Sequence, residues 1–421
     1  MLNDLIFQKA SGIPLNKQQM YDAVTYLMKN GADSNSVKFF MALHSFGMSK
    51  KEVLYLALAM RDSGKVVKYD GTVFEKHSTG GVGDSTSLVI IPLLASLGYK
   101  IVKNTGKSLT YTNGSADRFG SIPKFAVKFN DDEVTKLLDE TNACVLSHNG
   151  LHCPADRYLF EIMEKCGLEG DINLLAASIA SKKLASGATV VLVDVKYGPA
   201  AVIKSFGNAM KMSKILKFVF NACNVKSTIV ITDTAQMIGS AVGNALEVVD
   251  ALYVLQGKKC LLRDIASDYA VELITKTNNR IHSKDAYDMV ANALDSGMAY
   301  NKFLDIVRLQ GGKVSVIKNG RLFVPYKSKN IISNSEGYVG AINSLILGEL
   351  IRRLCAETHD SNIGVVLHAK VGDYIKVGDP ILSFYYKDDE DFERYERAIL
   401  GCVRLTKSKI APVDVIRKVI R

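Results

Sequence analysis

Apolar residues recur at helical spacing near the start of the chain. Between Lys17 and Lys29 they fall at Met20, Val24, Leu27 and Met28, and the pattern stops near Gly31. Ser36 to Phe46 and Lys51 to Met60 repeat it, the latter ending at Gly64. A helical domain over residues 1–65 follows, with no obvious chemistry of its own. From Val66 the pattern changes. A turn at Gly80 to Gly83 leads into the apolar run Ser87 to Gly98, which reads as a buried helix ended by a glycine. Lys100 to Asn104 reads as a strand and Thr105 to Ser115 as a polar turn. Asp131 to Thr141 is an amphipathic helix, Ala143 to Leu146 a short strand, and Asp156 to Cys166 and Asn173 to Ala185 two more helices. Thr189 to Val195 and Ser227 to Thr232 are β-branched runs typical of central parallel strands. Strands alternating with helices predict an α/β sheet with mostly parallel strands. Near Lys313 the character shifts to short strands and turns. Val371-Gly372-Asp373 and Val377-Gly378-Asp379, on an alternating background, suggest a compact β-rich C-terminal module.

Composition narrows the function. A chain of 421 residues exceeds one core, and 48% apolar with 23% charged residues suits a globular protein. The net charge of +10 admits nucleic acid or an anionic small substrate, but the Lys and Arg residues are scattered, which argues against nucleic acid. Seven cysteines without a CxxC pair suggest reduced thiols in a cytoplasm. Met1 to Phe7 lacks the basic start and apolar stretch of a signal peptide, and the longest apolar run, Leu88 to Leu97, is short of a membrane span. A cytoplasmic protein without membrane contact is expected.

Lys76 to Ser87 has the ingredients of an anion cradle. Its glycines let backbone N–H groups approach a ligand, Ser78, Thr79, Ser85, Thr86 and Ser87 supply hydroxyls, Lys76 supplies charge, and a helix N-terminus follows. His77 inside such a loop is a candidate for catalysis or for polarising a substrate. Gly106-Lys107-Ser108 imitates the end of a nucleotide-triphosphate loop, but that motif needs Gly where Ile101 stands. No dinucleotide fingerprint follows a strand.

Lys76-His77-Ser78-Thr79-Gly80-Gly81-Val82-Gly83-Asp84 resembles the phosphate loop of the thymidine phosphorylase and pyrimidine nucleoside phosphorylase family. Ser121-Ile122-Pro123, Pro154-Ala155-Asp156, Ala177 to Ala185, Val193-Asp194-Val195-Lys196 and Ala241 to Val248 follow in that family's order. The resemblance implies a nucleoside phosphorylase/phosphoribosyltransferase-like fold. Residues 1–65, joined by about 156–187, would form the helical domain. Residues 66–155 and 188–325 would form the α/β domain, and 326–421 a C-terminal α+β module. It implies a homodimer and reversible phosphorolysis of thymidine or a related pyrimidine nucleoside to the free base and 2-deoxy-α-D-ribose 1-phosphate. Phosphate would contact Lys76, Ser78, Ser87, Thr105 and Ser115. His77 would face the base and sugar, Leu109 and Leu175 would pack near the base, and Ser178 and Lys182 would hydrogen-bond its edge. His77 and Lys182 are thus the implied catalytic residues. No cofactor is required, although a potassium ion at Gly83, Ser85, Ile238, Ala241 and Asp250 is implied for one branch. That chemistry suits the residues: phosphate is itself the nucleophile, and donors at the base oxygens stabilise the departing anion.

Three departures bear on activity. The family's base-gripping arginine falls on Met163, with Arg157 and Lys165 close by but expected out of register. The second glycine-rich segment, Gly106 to Ser115, has lost three glycines and a histidine. The turn after Lys196 reads Tyr197-Gly198-Pro199-Ala200-Ala201. They leave two rivals open: a homologue that binds phosphate or nucleoside without turnover, and a phosphorylase with specificity shifted towards uridine or deoxyuridine.

Overall fold

The computed structural model describes residues 1–106, 114–147, 152–277 and 280–421. Four helices open the chain: α1 (Leu2–Ala10), α2 (Lys17–Asn30), α3 (Ser34–Phe46) and α4 (Lys50–Arg61). Asn16 and Ser49 cap α2 and α4 in reciprocal capping boxes with Gln19 and Glu52, which fixes where these helices start.

The alternating region follows as β1 (Val73–Ser78), α5 (Thr86–Ser96), β2 (Lys100–Thr105), α6 (Ser115–Gly120), α7 (Asp131–Thr141) and β3 (Ala143–Ser147). Next come α8 (Ala155–Cys166), α9 (Ile172–Ala185), β4 (Val190–Tyr197), α10 (Phe206–Ala222), β5 (Lys226–Asp233), β6 (Ala241–Val242) and α11 (Asn244–Leu255). Helices α12 (Leu261–Thr277), α13 (Ser283–Asp295), α14 (Met298–Leu309) and α15 (Val314–Lys318) complete this part. The tail holds β7 (Lys327–Ile332), β8 (Gly337–Ile342), α16 (Ser344–Thr358), β9 (Gly364–Leu367), β10 (Tyr374–Ile375), β11 (Pro380–Tyr386), α17 (Asp389–Leu400), β12 (Val403–Thr406) and β13 (Ile416–Ile420).

The main sheet runs β13-β5-β4-β1-β2-β3. Its strands are parallel except β13, which pairs antiparallel with β5. β4 is buried over nearly its whole length, as a strand covered on both faces must be. One face packs on α5, α11, α12 and α14, with Leu88, Ile90, Leu94, Leu255 and Ile274 in that core. The other face packs Val191, Val193 and Val195 against helices of the first sixty residues and α8 to α10. The N-terminal helices and α8–α9 therefore share one core, separate from the core beneath the sheet.

The tail forms a four-stranded sheet β6-β9-β11-β7 and a three-stranded sheet β10-β8-β12, with α16 and α17. The expected boundary at residue 326 is crossed twice. β6 leaves the middle of the chain to pair with β9, and β13 returns from the tail to the main sheet. Among the described residues no helix is long and apolar enough to cross a membrane.

Candidate active site

A cavity of about 470 Å³ opens at the C-terminal ends of β1 and β2, opposite α8 and α9. Carboxyl ends of parallel strands are where such sheets bind ligands, and this size suits a small organic molecule with an anion.

The glycine-rich turn forms one wall. Alternation along β1 sends Glu75 and His77 to one face of the sheet and Lys76 and Ser78 to the other. Asp84 organises the turn. One carboxylate oxygen accepts from Ser78 Oγ at 2.9 Å, and the other from Thr86 N at 3.2 Å and Thr86 Oγ1 at 2.5 Å. Burial alone would raise the Asp84 carboxyl, but Lys196 and Lys76 hold it well below the usual carboxylate range. At two glycines an added Cβ would crowd a neighbouring side chain. A Cβ on Gly81 would lie 2.7 Å from Lys196 Cδ, and one on Gly83, at φ +68°, would lie 2.6 Å from Met237 Cε.

The implied phosphate ligands divide. Ser78, Ser87, Thr105 and Ser115 all line the cavity. Lys76 does not line it. Its side chain is 1% exposed; Nζ donates to Thr86 Oγ1 at 2.7 Å and lies 3.5 Å from Asp84 and 3.8 Å from Asp194. Lys76 shares a face of β1 with Ser78 but lies two residues deeper in the strand, under the turn, where it braces Asp84. Lys103 on β2 does line the cavity, and its Nζ donates to the Lys76 carbonyl at 2.7 Å. Burial, then Lys183 and Lys76, push this ammonium well below the ordinary lysine value. An anion placed against it reverses that penalty.

His77 lines the cavity half-buried. Burial, followed by Lys183, Lys103, Lys182 and Lys76, pushes its pKa well below 6.5. His77 is therefore a neutral imidazole with one N–H and one lone pair at neutral pH. Behind it Glu75 is fully buried and ion-paired with Lys183, and it accepts from Ser186 Oγ at 2.6 Å.

On the opposite wall Lys182 lines the cavity. Its Nζ donates to Asp156 Oδ2 at 2.7 Å and to Ser178 Oγ at 2.9 Å, while Ser178 Oγ donates to Asp156 Oδ1 at 2.6 Å. Asp156 thus ties the two implied base-edge residues into one unit. Ser178, Leu175 and Met163 are buried behind the cavity surface instead of lining it. Met163 belongs to the helical core with Leu159 and Ile162. The face of α8 that lines the cavity carries Arg157, Phe160, Glu161 and Glu164. Leu109 lies outside the described residues.

The implied potassium ligands lie together where the turn meets residues 237–250. Gly83 O accepts from Gly239 N at 2.9 Å, Ser85 Oγ donates to Glu247 at 3.3 Å, and Asp250 Oδ2 accepts from Ser240 N at 2.9 Å. The carbonyls flanking Ile238 are already occupied. Lys370 Nζ donates to Met237 O at 3.0 Å and Gly239 O at 2.5 Å. An ammonium here, with Lys258 3.7 Å from Asp250, would compete with a potassium ion for this turn.

Sequence reasoning missed Lys103, Asp84, Asp156 and Arg118. Lys103 follows Ile101-Val102 in a strand that is buried nearly throughout, and a buried lysine needs a partner.

Comparison with known proteins agrees with this layout. The glycosyl transferase family helical bundle domain matches residues 3–64, its a/b domain residues 70–300, and the pyrimidine nucleoside phosphorylase C-terminal domain residues 338–406. The chain is 31% identical to the pyrimidine-nucleoside phosphorylase of Staphylococcus haemolyticus over 91% of each chain. It is also 31% identical to that of Geobacillus stearothermophilus over 99% of each. Anthranilate phosphoribosyltransferase from Thermus thermophilus shares the fold at 17% identity, with a TM-score of 0.59 over 72% of this chain and 98% of that one. The glycosyl transferase domains joined to that particular C-terminal domain, and likeness along nearly the whole length, mean that the chain belongs to the pyrimidine nucleoside phosphorylase family.

Proposed function

We propose that the protein catalyses the reversible phosphorolysis of a pyrimidine 2′-deoxynucleoside, with thymidine the preferred substrate, as a homodimer in the cytoplasm. The supporting observation is a single cavity with an anion cradle on one wall and Lys182 on the other.

Phosphate sits among Ser78, Ser87, Thr105, Ser115 and Lys103, with one oxygen facing C1′ of the sugar. As the C1′–N bond breaks, negative charge moves onto the base and positive character onto C1′. Lys182 and the N–H of neutral His77 donate to the base oxygens and stabilise the departing anion. Asp156 holds Lys182 and Ser178 in register, so little reorganisation remains at the moment of reaction. The phosphate oxygen then forms the new bond to C1′, giving the sugar 1-phosphate. No covalent enzyme intermediate is needed.

A second reading rests on α8. With Met163 in the core, α8 presents Arg157 beside Glu161 and Glu164 to the cavity, a different donor set from the arginine implied at position 163. That favours altered base preference, or binding without turnover. Incubation with thymidine, uridine and deoxyuridine, with and without phosphate, separates the readings. Phosphate-dependent base release supports the proposal, and the fastest nucleoside reports the preference. Phosphate binding without release from any of them leaves the binding homologue.

A further inference from the structure

Arg118 lines the same cavity and has no role in the scheme above. It lies on α6, three residues after Ser115, and is 6% exposed. Its Nε donates to Glu247 Oε2 at 2.5 Å. Glu247, on α11, is itself 3% exposed and accepts from Ser85 Oγ at 3.3 Å and Gly243 N at 3.4 Å. A guanidinium carries five N–H donors, and Nε supplies one. Among the described residues no other hydrogen-bond acceptor for the Arg118 side chain is found. The guanidinium is gripped from behind at Nε, and its two amino groups belong to a residue that borders the cavity.

The charge inventory of this wall points to its use. Ser78, Ser87, Thr105 and Ser115 are neutral donors. Lys76 is held below the turn, and Lys103 spends one donor on a backbone carbonyl. Asp84 brings a negative charge to the same lining. A divalent anion there requires a fixed positive charge, and a guanidinium stays protonated whatever its surroundings. Its planar fork also matches two oxygens of a tetrahedral anion.

We propose that Arg118 binds the phosphate directly through its terminal amino groups, with Glu247 as the positioning residue that sets the fork. This rests on the phosphorolysis reading for the identity of the anion. Because Glu247 also takes the Ser85 hydroxyl, one buried carboxylate aligns the fork with the start of α5.

The test uses the full chain and inorganic phosphate alone, titrated by calorimetry, followed by steady-state KM for phosphate and for nucleoside. Arg118→Gln should weaken phosphate at least tenfold and leave the nucleoside KM within twofold. Arg118→Lys, which keeps the charge but loses the fork, should weaken phosphate several-fold and covers the case in which the glutamine variant does not fold. Glu247→Gln should raise the phosphate KM by a smaller factor, with the nucleoside KM again unmoved. Wild-type phosphate affinity in a folded Arg118→Gln or Arg118→Lys variant overturns the inference while leaving phosphorolysis intact. Wild-type protein that does not bind phosphate overturns the functional reading, and this inference with it.

Discussion

Exchanging Lys103 and Lys76 for methionine, one at a time, separates a ligand from a brace. Lys103 borders the cavity with its side chain nearly buried, and its fixed hydrogen bond to Lys76 O leaves donors for an anion. A hydrogen bond to a charged group contributes about 1.5–3 kcal/mol. Lys103→Met should therefore raise the phosphate Kd by about ten- to a hundredfold. Stability should hold or rise, because the change removes a desolvated charge that lies among Lys183 and Lys76. Lys76→Met should do the opposite. It leaves Asp84 and Asp194 with Lys196 alone, at 3.5 Å and 2.8 Å, and strips Thr86 Oγ1 of its donor. Breaking a buried ion pair by removing one partner costs about 3–5 kcal/mol, and the remaining lysine points to the lower end. Calorimetric titration with phosphate and denaturant unfolding on both variants give the two readouts. Wild-type phosphate affinity in Lys103→Met, beside a tenfold loss in a fully stable Lys76→Met, would refute the assignment.

Other outcomes follow from the same geometry. Asp156→Asn should lower kcat through misplaced Lys182 and Ser178 by about tenfold or more, since a charge-assisted hydrogen bond is lost, while phosphate binding measured alone stays unchanged. Met163→Arg, which would restore the family's residue, should not raise base release. It places a guanidinium at a fully buried core position and should cost about 3 kcal/mol or more in a melt, so a gain in turnover at unchanged stability would show that the new side chain escapes to the cavity. His77 gives a pH signature. The unfolded chain binds a proton there below about 6.5 and the folded chain does not, so this residue lowers stability as pH falls through that value and has no effect above it. His77→Gln should flatten that part of the pH–stability curve; an unchanged slope would mean that His77 is protonated in the fold. Replacing potassium by choline should leave the phosphate KM unchanged, whereas in Lys370→Met, which vacates the Met237 and Gly239 carbonyls, potassium should become beneficial. A strict potassium requirement in the wild type would contradict the lysine's occupancy of that turn.

Much of the fold was legible because local signals agreed. The span Asp131–Thr141 was read from its charge and spacing alone, and Asn130 capping Glu133 N explains its sharp start. The apolar run after the glycine turn became α5, with buried residues on every side, as a helix under a sheet must be. Long-range pairings were not legible. Nothing local to Ile416–Ile420 says that it closes the main sheet beside β5, or that the two residues of β6 belong to the tail's sheet. Within the site, the motif located the turn but not the direction of each side chain. Lys76 lies too deep in β1 to reach the cavity surface, while Lys103, on a neighbouring strand outside any motif, lines it. On α8 the same limit hid Arg157, because helix phase decides which residues face α9 and which face the cavity.

The most direct test of the central claim is the fate of a pyrimidine 2′-deoxynucleoside mixed with the protein and phosphate. The account predicts free base and an equal amount of sugar 1-phosphate, no base when phosphate is left out, and loss of both products in Lys182→Ala. Base release that does not need phosphate, or none from thymidine, deoxyuridine or uridine while phosphate still binds, would contradict it.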